Sequence, residues 1–214
     1  MRRAWLRFQP RFVPPLWFVA RAPISARHVA LTFDDGPSPA TTLPLLDTLD
    51  RCGVRATFFF VGKDVAAYPD LVQETVARGH QVSNHGFDHS VRPSHGWKAN
   101  LANLLQGEDV LRAATLRCAW RWFRPPRGQF HLRLLAWAAR HERTVVTWSL
   151  DSGDSFGGAA EVCANLHPAR VAPGEVVLLH EDKLLPRDLL LELVARLRAA
   201  GRSFSTLEQL IGVR

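Results

Sequence analysis

The chain has 214 residues, enough for one domain with a full core, and its 47% hydrophobic and 22% charged content excludes a disordered or fibrous protein. Its net charge of +7 is carried by arginine, since lysine occurs only at Lys63 and Lys98; no nucleic-acid-binding motif accompanies that charge, so nucleic acid is excluded as a partner class. Cys52, Cys118 and Cys163 are odd in number and widely spaced, which excludes a disulfide framework and a zinc knuckle and leaves free thiols of a reducing compartment.

Residues 1–27 read as a basic and aromatic extension. Arg2, Arg3, Arg7 and Arg11 alternate with Trp5, Leu6, Phe8 and Phe12. Ala20-Arg21-Ala22 mimics a signal-peptidase site, but the apolar run before it is short and follows Pro14-Pro15, so secretion is not the expectation. No segment is long enough to span a bilayer. Two readings of the extension stand: an arm resting on a membrane surface through residues 1–20, or a segment packed over the bottom of the domain.

The domain proper is expected over 28–214. Residues 29–33 form an apolar run that predicts a buried strand of the parallel type, ending in Asp34-Asp35-Gly36-Pro37. An Asp-Gly turn accounts for one carboxylate. A pair beneath a continuous apolar strand points to a site, because at a strand end both side chains can reach one place. A helix is expected over 39–51, stopped at Cys52-Gly53, then a buried strand over 56–61, a helix over 70–78 and a short strand over 81–83. Residues 97–117 predict a long helix with an apolar stripe of Leu101, Leu104, Leu105, Val110 and Leu111. A strand over 119–123, a helix over 132–140, a strand over 144–150 and a helix over 159–166 follow. The chain closes with a strand over 175–179, a helix over 188–200, a strand over 202–205 and a short helix over 206–210. This alternation predicts a mostly parallel sheet, closed or nearly closed as a barrel of seven strands.

The polar groups of interest sort to one end of that sheet. Asp34 and Asp35 end the first strand, His85 and His89 follow the third, Arg124 ends the fourth, Asp151 and Asp154 end the fifth, and His180 ends the sixth. That face carries the active site in parallel α/β folds. His85 and His89 lie four apart, as on one side of a helical turn, and with one carboxylate they would make a two-His, one-Asp site with open positions, the pattern of a catalytic metal.

Thr32-Phe33-Asp34-Asp35-Gly36-Pro37, His85-Gly86-Phe87-Asp88-His89, Arg124-Pro125-Pro126-Arg127-Gly128, Asp151-Ser152-Gly153-Asp154 and Leu178-Leu179-His180 resemble, in order, the five motifs of polysaccharide deacetylases, the NodB-homology family or carbohydrate esterase family 4. The resemblance implies an α/β fold of the NodB type, a distorted (β/α)7 barrel. It implies Asp34 as general base, Asp35, His85 and His89 as ligands of a divalent metal (Zn2+ by default, with Co2+, Ni2+ or Mn2+ as alternatives), and Arg124 as the partner that orients the base. Asp154 would hold His180, the general acid. The Arg127 backbone N–H would bind the oxyanion, and Leu178 would line the acyl pocket. Three positions depart from the family pattern. Gly86 replaces a Ser or Thr, which would loosen its loop. Ser155 replaces a Trp, leaving Phe156 to wall the acyl pocket. Arg127 replaces an aromatic residue, so its side chain would favour an anionic or phosphate-bearing substrate.

The expected activity is removal of an N-acetyl group from an amino sugar of a glycan or glycolipid precursor. Deformylation or O-acetyl esterolysis of a lipid-linked or polymeric sugar is the alternative within enzymes, and a non-catalytic glycan-binding protein the alternative outside them. The partner is then a carbohydrate and the expected location cytoplasmic, at the inner membrane face. His28, His80, His95, His131, His141 and His167 lack the strand-end placement and read as surface or capping groups; Trp120 and Trp122 read as core, and Trp97 as helix packing, with the lining of a sugar-binding groove as its alternative.

Overall fold

The computed structural model describes residues 17–22, 26–118, 121–182 and 187–212. The arginine-aromatic run over 1–12 and Trp120 lie outside the described residues. In chain order the elements are β1 (Phe18–Val19), β2 (His28–Asp34), α1 (Thr42–Cys52), β3 (Thr57–Phe60), α2 (Gly62–Ala67), α3 (Pro69–Ala77), β4 (Gln81–Asn84), α4 (Trp97–Ala114) and β5 (Trp122–Phe123). They continue with α5 (Leu132–Arg140), β6 (Thr144–Val146), β7 (Leu150–Asp151), α6 (Ala159–Asn165), β8 (Val176–His180), α7 (Arg187–Ala199), β9 (Ser203–Phe204) and α8 (Leu207–Ile211). The strands run β1-β6-β5-β4-β3-β2-β8-β7, with β9 beside the start of β2, and every paired strand is parallel.

This is the expected distorted barrel, with one change in how it closes. The strand predicted over 144–150 is two strands. Its first part pairs with β5 and β1, and Thr147 N–H still donates to the Val19 carbonyl (2.8 Å); by Ser149 the chain bonds to Val176 instead (3.0 Å). The strand at one end of the sheet, β7, thus continues directly from β6, the neighbour of β1 at the other end, and the ring is joined through a bend in the chain rather than by a ladder. An apolar run carries no signal for such a change of partner. The described part of the N-terminal extension contributes β1, with Phe18, Val19 and Ala20 buried.

Alternation along the strands divides the core in two. Val29, Leu31, Phe33, Phe58, Phe60, Val82, Val177 and Leu179 face outward and meet Leu46 and Leu49 of α1, Val72 of α3 and Leu190, Leu193, Val194 and Leu197 of α7. Each of these side chains contributes about 1.5–3 kcal/mol when fully buried. The inner face carries Ala30, Phe59, Trp122, Val176 and Leu178, closed below by Leu207 and Leu210 of α8. Polar residues share that face, and those at its lower end are bonded to α8: Leu207 N–H donates to Thr57 Oγ1 and Glu208 N–H to Gln81 Oε1, both at 2.9 Å. Among the described residues no helix is long and apolar enough to cross a membrane.

Three local expectations are corrected. Helix α2 was not anticipated; six residues are too few to show a period. Helix α4 ends at Ala114, and it buries Asn100, Asn103, Leu104, Gly107, Glu108 and Leu111 while Leu105 is 37% exposed. The polar members of that stripe are paired rather than misplaced; Glu108, for instance, receives Arg143 through both carboxylate oxygens (3.0 and 2.8 Å). His80 is neither a surface nor a capping group. It is buried, its Nδ1 accepts from Ala56 N–H (3.1 Å), and it meets the Phe58 ring edge-on.

Burial, and then the charge of Arg55, hold the His80 imidazole down to a pKa of about 4, below its ordinary 6.5. The unfolded chain therefore binds a proton in that window that the folded chain refuses. The stability this residue contributes is complete above 6.5 and lost as pH falls toward about 4. His80→Asn, which keeps an acceptor for Ala56, should flatten the acid slope by roughly 3 kcal/mol relative to the parent, read from urea melts at the two ends of the window.

Candidate active site

The same alternation that builds the inner face places the chemistry at its upper rim. Counting by twos from Ala30 reaches Thr32 and Asp34 on β2, from Val176 reaches Leu178 and His180 on β8, from Gln81 reaches Ser83 and His85 beyond β4, and from Trp122 reaches Arg124 beyond β5. Asp34 and His180 are register partners on adjacent strands. Asp34, His85, Arg124 and His180 therefore open onto one space.

Asp35 joins them by a break in the alternation. Its φ is 72°, in the left-handed region that a non-glycine residue occupies only at a cost, and this turns the second carboxylate toward the side where the first already points. Asp35 Oδ1 lies 3.5 Å from His85 Nε2 and 3.3 Å from His89 Nε2, and one ligand atom from each of the three lies within 4.8 Å of the others. His85 Nδ1 is 2.7 Å from the Arg124 carbonyl, an acceptor, so Nδ1 carries the proton and Nε2 presents a lone pair toward Asp35. Asp35 Oδ1 is buried and has no hydrogen-bond partner. An orphaned carboxylate oxygen facing two imidazole nitrogens fits a divalent cation.

His89 arrives on a loop, not on the helical turn that the spacing suggested. Nor does Gly86 loosen that loop. Gly86 has φ 81°, and a Cβ there would sit 2.5 Å from Asn103 Nδ2, so the turn requires glycine. The loop is tied at every step: Gly86 N–H to Asn84 Oδ1 (2.7 Å), Gly62 N–H to the Gly86 carbonyl (2.8 Å), Phe87 N–H to the Asn103 carbonyl (2.9 Å) and Asp88 N–H to Asn103 Oδ1 (2.7 Å).

Arg124 is wholly buried, at 0% exposure. Its NH1 donates to Asp34 Oδ1 (2.7 Å) and Thr32 Oγ1 (2.9 Å), its NH2 donates to the Thr147 carbonyl (2.9 Å), and the guanidinium lies 4.1 Å over the Phe59 ring and 5.7 Å from that of Trp148. Asp34 is thereby held by a cation that cannot move, and its Oδ2 lies 3.7 Å from His85 Nε2. Trp148, within the bend between β6 and β7, went unremarked in the sequence. Gly128 (φ 64°) lets the chain after Arg124 settle on it, since a Cβ there would stand 2.7 Å from the indole.

His180 is held by Asp154 twice over. Asp154 Oδ1 lies 2.8 Å from His180 Nδ1, and Oδ2 accepts the His180 backbone N–H at 2.6 Å. Burial alone would lower the imidazole, but the bond to Asp154 and the charges of Asp34, Asp154 and Asp35 outweigh it and raise the pKa from 6.5 to about 9. Ser155 Oγ also touches the ring, 2.8 Å from Nδ1 and 3.3 Å from Nε2. Glu181, the next residue, was missed as well. It is buried, and its Oε1 accepts from Ser38 N–H (3.3 Å), Thr41 Oγ1 (3.2 Å) and Thr42 Oγ1, which anchors the turn after Asp35 to the end of β8. A carboxylate beside a strand-end histidine was its only signal in the sequence.

The remaining predicted positions are more scattered. Leu178 is buried in the inner cluster with Trp148 and Phe59, two residues below His180. Arg127, at φ 60°, stands beside His89, with its NH1 donating to the His89 carbonyl (3.0 Å). Phe156 is 86% exposed, so it stands at the rim and is not packed as a pocket wall.

A family model for polysaccharide deacetylase matches residues 21–146. The chain is 29% identical to a peptidoglycan-N-acetylglucosamine deacetylase of Bacillus cereus, over 96% of this chain and 75% of the relative. It is 33% identical to a chitooligosaccharide deacetylase of Sinorhizobium fredii over 76% of each. Among solved structures, the Bc1960 peptidoglycan N-acetylglucosamine deacetylase matches with a TM-score of 0.85 at 27% identity, covering 92% of this chain and 94% of that one. The family 4 carbohydrate esterase from Streptomyces lividans matches with a TM-score of 0.73 at 28% identity, covering 83% and 91%. Since the family model runs through the strand ends that carry Asp34, His85 and Arg124, and the barrel recurs in solved relatives, the chain belongs to the polysaccharide deacetylase family, carbohydrate esterase family 4.

Proposed function

We propose that this chain hydrolyses the N-acetyl amide of an amino sugar within a glycan, as the names of its curated relatives say of them. The observation that carries this reading is the shared rim: a buried Asp34–Arg124 pair beside the Asp35, His85 and His89 set, with His180 on the adjoining strand. A divalent cation held by Asp35, His85 and His89 would supply a Lewis acid and make water a nucleophile near neutral pH, and zinc is our reading of which cation. Asp34, fixed by Arg124, accepts the proton of the attacking water. The Arg127 backbone N–H is the donor we propose for the developing oxyanion. His180, charged through its bond to Asp154, delivers a proton to the departing amine, which is a poor leaving group without it. The assay is release of acetate and free amine from N-acetylated chitooligosaccharides and peptidoglycan fragments by protein loaded in turn with Zn2+, Co2+, Ni2+ and Mn2+. Acetate with equimolar amine supports the reading. Formate, or acetate without amine, transfers it to the deformylase or esterase alternatives, and binding without turnover to the glycan-binding one.

The acid role sets the alkaline side of the pH profile. His180 stays protonated until about pH 9, so kcat should hold to that point and fall beyond it. In Asp154→Asn the largest upward contribution is lost, and the alkaline midpoint of kcat should move down toward 6.5, by about 1–2 units.

A finer statement about substrate rests on Arg127. It is exposed, and its guanidinium has no carboxylate within ion-pair distance among the described residues. It therefore offers free donors at the mouth of the site to a carboxylate or phosphate on a neighbouring sugar. Arg127→Ala should raise KM for a carboxylate-bearing peptidoglycan fragment about tenfold and leave KM for a neutral chitooligosaccharide within about twofold. A lipid-linked sugar met at the inner membrane face through residues 1–20 stays a separate proposal, tested by adding the lipid-linked substrate to the same assay.

A further inference from the structure

We propose that Ser155 is a positioning residue for the proposed general acid: its hydroxyl holds the His180 ring so that Nε2 faces the rim where Asp34 and the Asp35, His85 and His89 set converge. The inference rests on the hydrolase reading above.

The contact is specific. His180 Nδ1 has two neighbours at 2.8 Å, Asp154 Oδ1 and Ser155 Oγ, but only one proton to give. Asp154 takes it, because a carboxylate is the stronger acceptor and its other oxygen is already fixed by the His180 backbone N–H. The hydroxyl is then left against the ring, 2.8 Å from Nδ1 and 3.3 Å from Nε2. A hydroxyl both donates and accepts, so it suits either state of the ring: its O–H turns toward a neutral ring and its oxygen toward the charged one. The Asp154 carboxylate and the Ser155 hydroxyl both bear on the ring at Nδ1 and together limit its rotation about the bond to Cβ, which Asp154 alone would leave freer. Other polar groups facing His180 are Asp154 from the β7–α6 loop and Asp34 and Asp35 from the end of β2, all carboxylates and all acceptors only. Ser155 is thus the one neutral donor in the set. It stands where the family pattern has a Trp, whose only polar atom is a ring N–H that cannot accept. In this chain the wall residue has become a ring holder, which fits Phe156 lying out at the rim.

The test compares wild type, Ser155→Ala and Ser155→Thr as the zinc-loaded protein. Ser155 lies on a partly exposed loop, so both variants should fold. The first readout is nitrogen-detected NMR of the His180 ring without substrate. In Ser155→Ala the titration midpoint should fall by about 0.5–1 unit, because an acceptor for the charged ring is lost, and Ser155→Thr should restore it. The second is kinetic: kcat falls about 5–20-fold in Ser155→Ala with KM within about twofold, the alkaline limb moves with the NMR midpoint, and Ser155→Thr recovers most of the rate. A small residue that merely widens the acyl pocket would leave the ring and its titration untouched in Ser155→Ala. That result, or a Thr variant no better than the Ala variant in both readouts, overturns the proposal. Should wild type release no acid from any substrate, the hydrolase reading fails, and the NMR comparison still decides whether Ser155 holds the ring.

Discussion

Asp34→Asn is expected to lower kcat by about 10³-fold with the fold and the metal site intact, within the usual range for loss of a positioned base. The geometry separates chemistry from architecture at this residue. Asparagine keeps an oxygen where Asp34 Oδ1 accepts from Arg124 NH1 at 2.7 Å, so the guanidinium retains its donors' partners, Thr32 Oγ1 and the Thr147 carbonyl included, and the lost countercharge should lower the denaturation midpoint without unfolding the domain. What the amide cannot do is take a proton from water. Asp34 is no member of the Asp35, His85 and His89 set, so calorimetric Zn2+ affinity should stay within about threefold of the parent, whereas Asp35→Asn should lower it about 10–100-fold or more. His180→Ala should match Asp34→Asn in lost turnover while leaving metal binding alone. Turnover retained in Asp34→Asn would remove the base from the mechanism; metal binding lost in the same variant would mean that Asp34 is a ligand.

How much of this was legible in the sequence follows from the range of each interaction. Strand existence and the strand-end clustering were readable, because burial imposes apolar runs and the alternation of two carries from the core residues up to Asp34, His85, Arg124 and His180. What escaped notice depended on a single dihedral or a distant partner. The left-handed Asp35 is what brings its carboxylate to the site, yet nothing but the following glycine and proline hints at it. The bend at 147–149 is set by which neighbour each half finds. Glu181 and Ser155 act on residues adjacent in space, and Asn103 reaches a loop fifteen or more residues earlier in the chain. The sequence distinguishes none of these from ordinary polar surface positions. Gly86 shows the reverse error: read against a family pattern it was a loss, and read against its own φ it is a requirement.

Arg124→Met is expected to destabilise the fold by about 3–5 kcal/mol, the largest loss of any single substitution at the site, and the double variant Arg124→Met with Asp34→Leu to recover most of it. Removing the guanidinium alone leaves the Asp34 carboxylate buried, with Thr32 Oγ1 and the Thr147 carbonyl short of a donor. Removing both charges leaves an apolar site between Phe59 and Trp148, the rings that already flank the guanidinium. A buried ion pair gains little over a well-packed apolar pair of similar volume, since each ion must first leave water. The double variant should therefore lie within about 2 kcal/mol of wild type in denaturant melts while releasing no acetate. That outcome would separate the two reasons a charge pair can sit in a barrel core. If stability were its purpose, replacing both members would be as damaging as removing one. If the pair exists to hold a base at a fixed angle over the Asp35, His85 and His89 set, the fold tolerates its loss and only the chemistry does not.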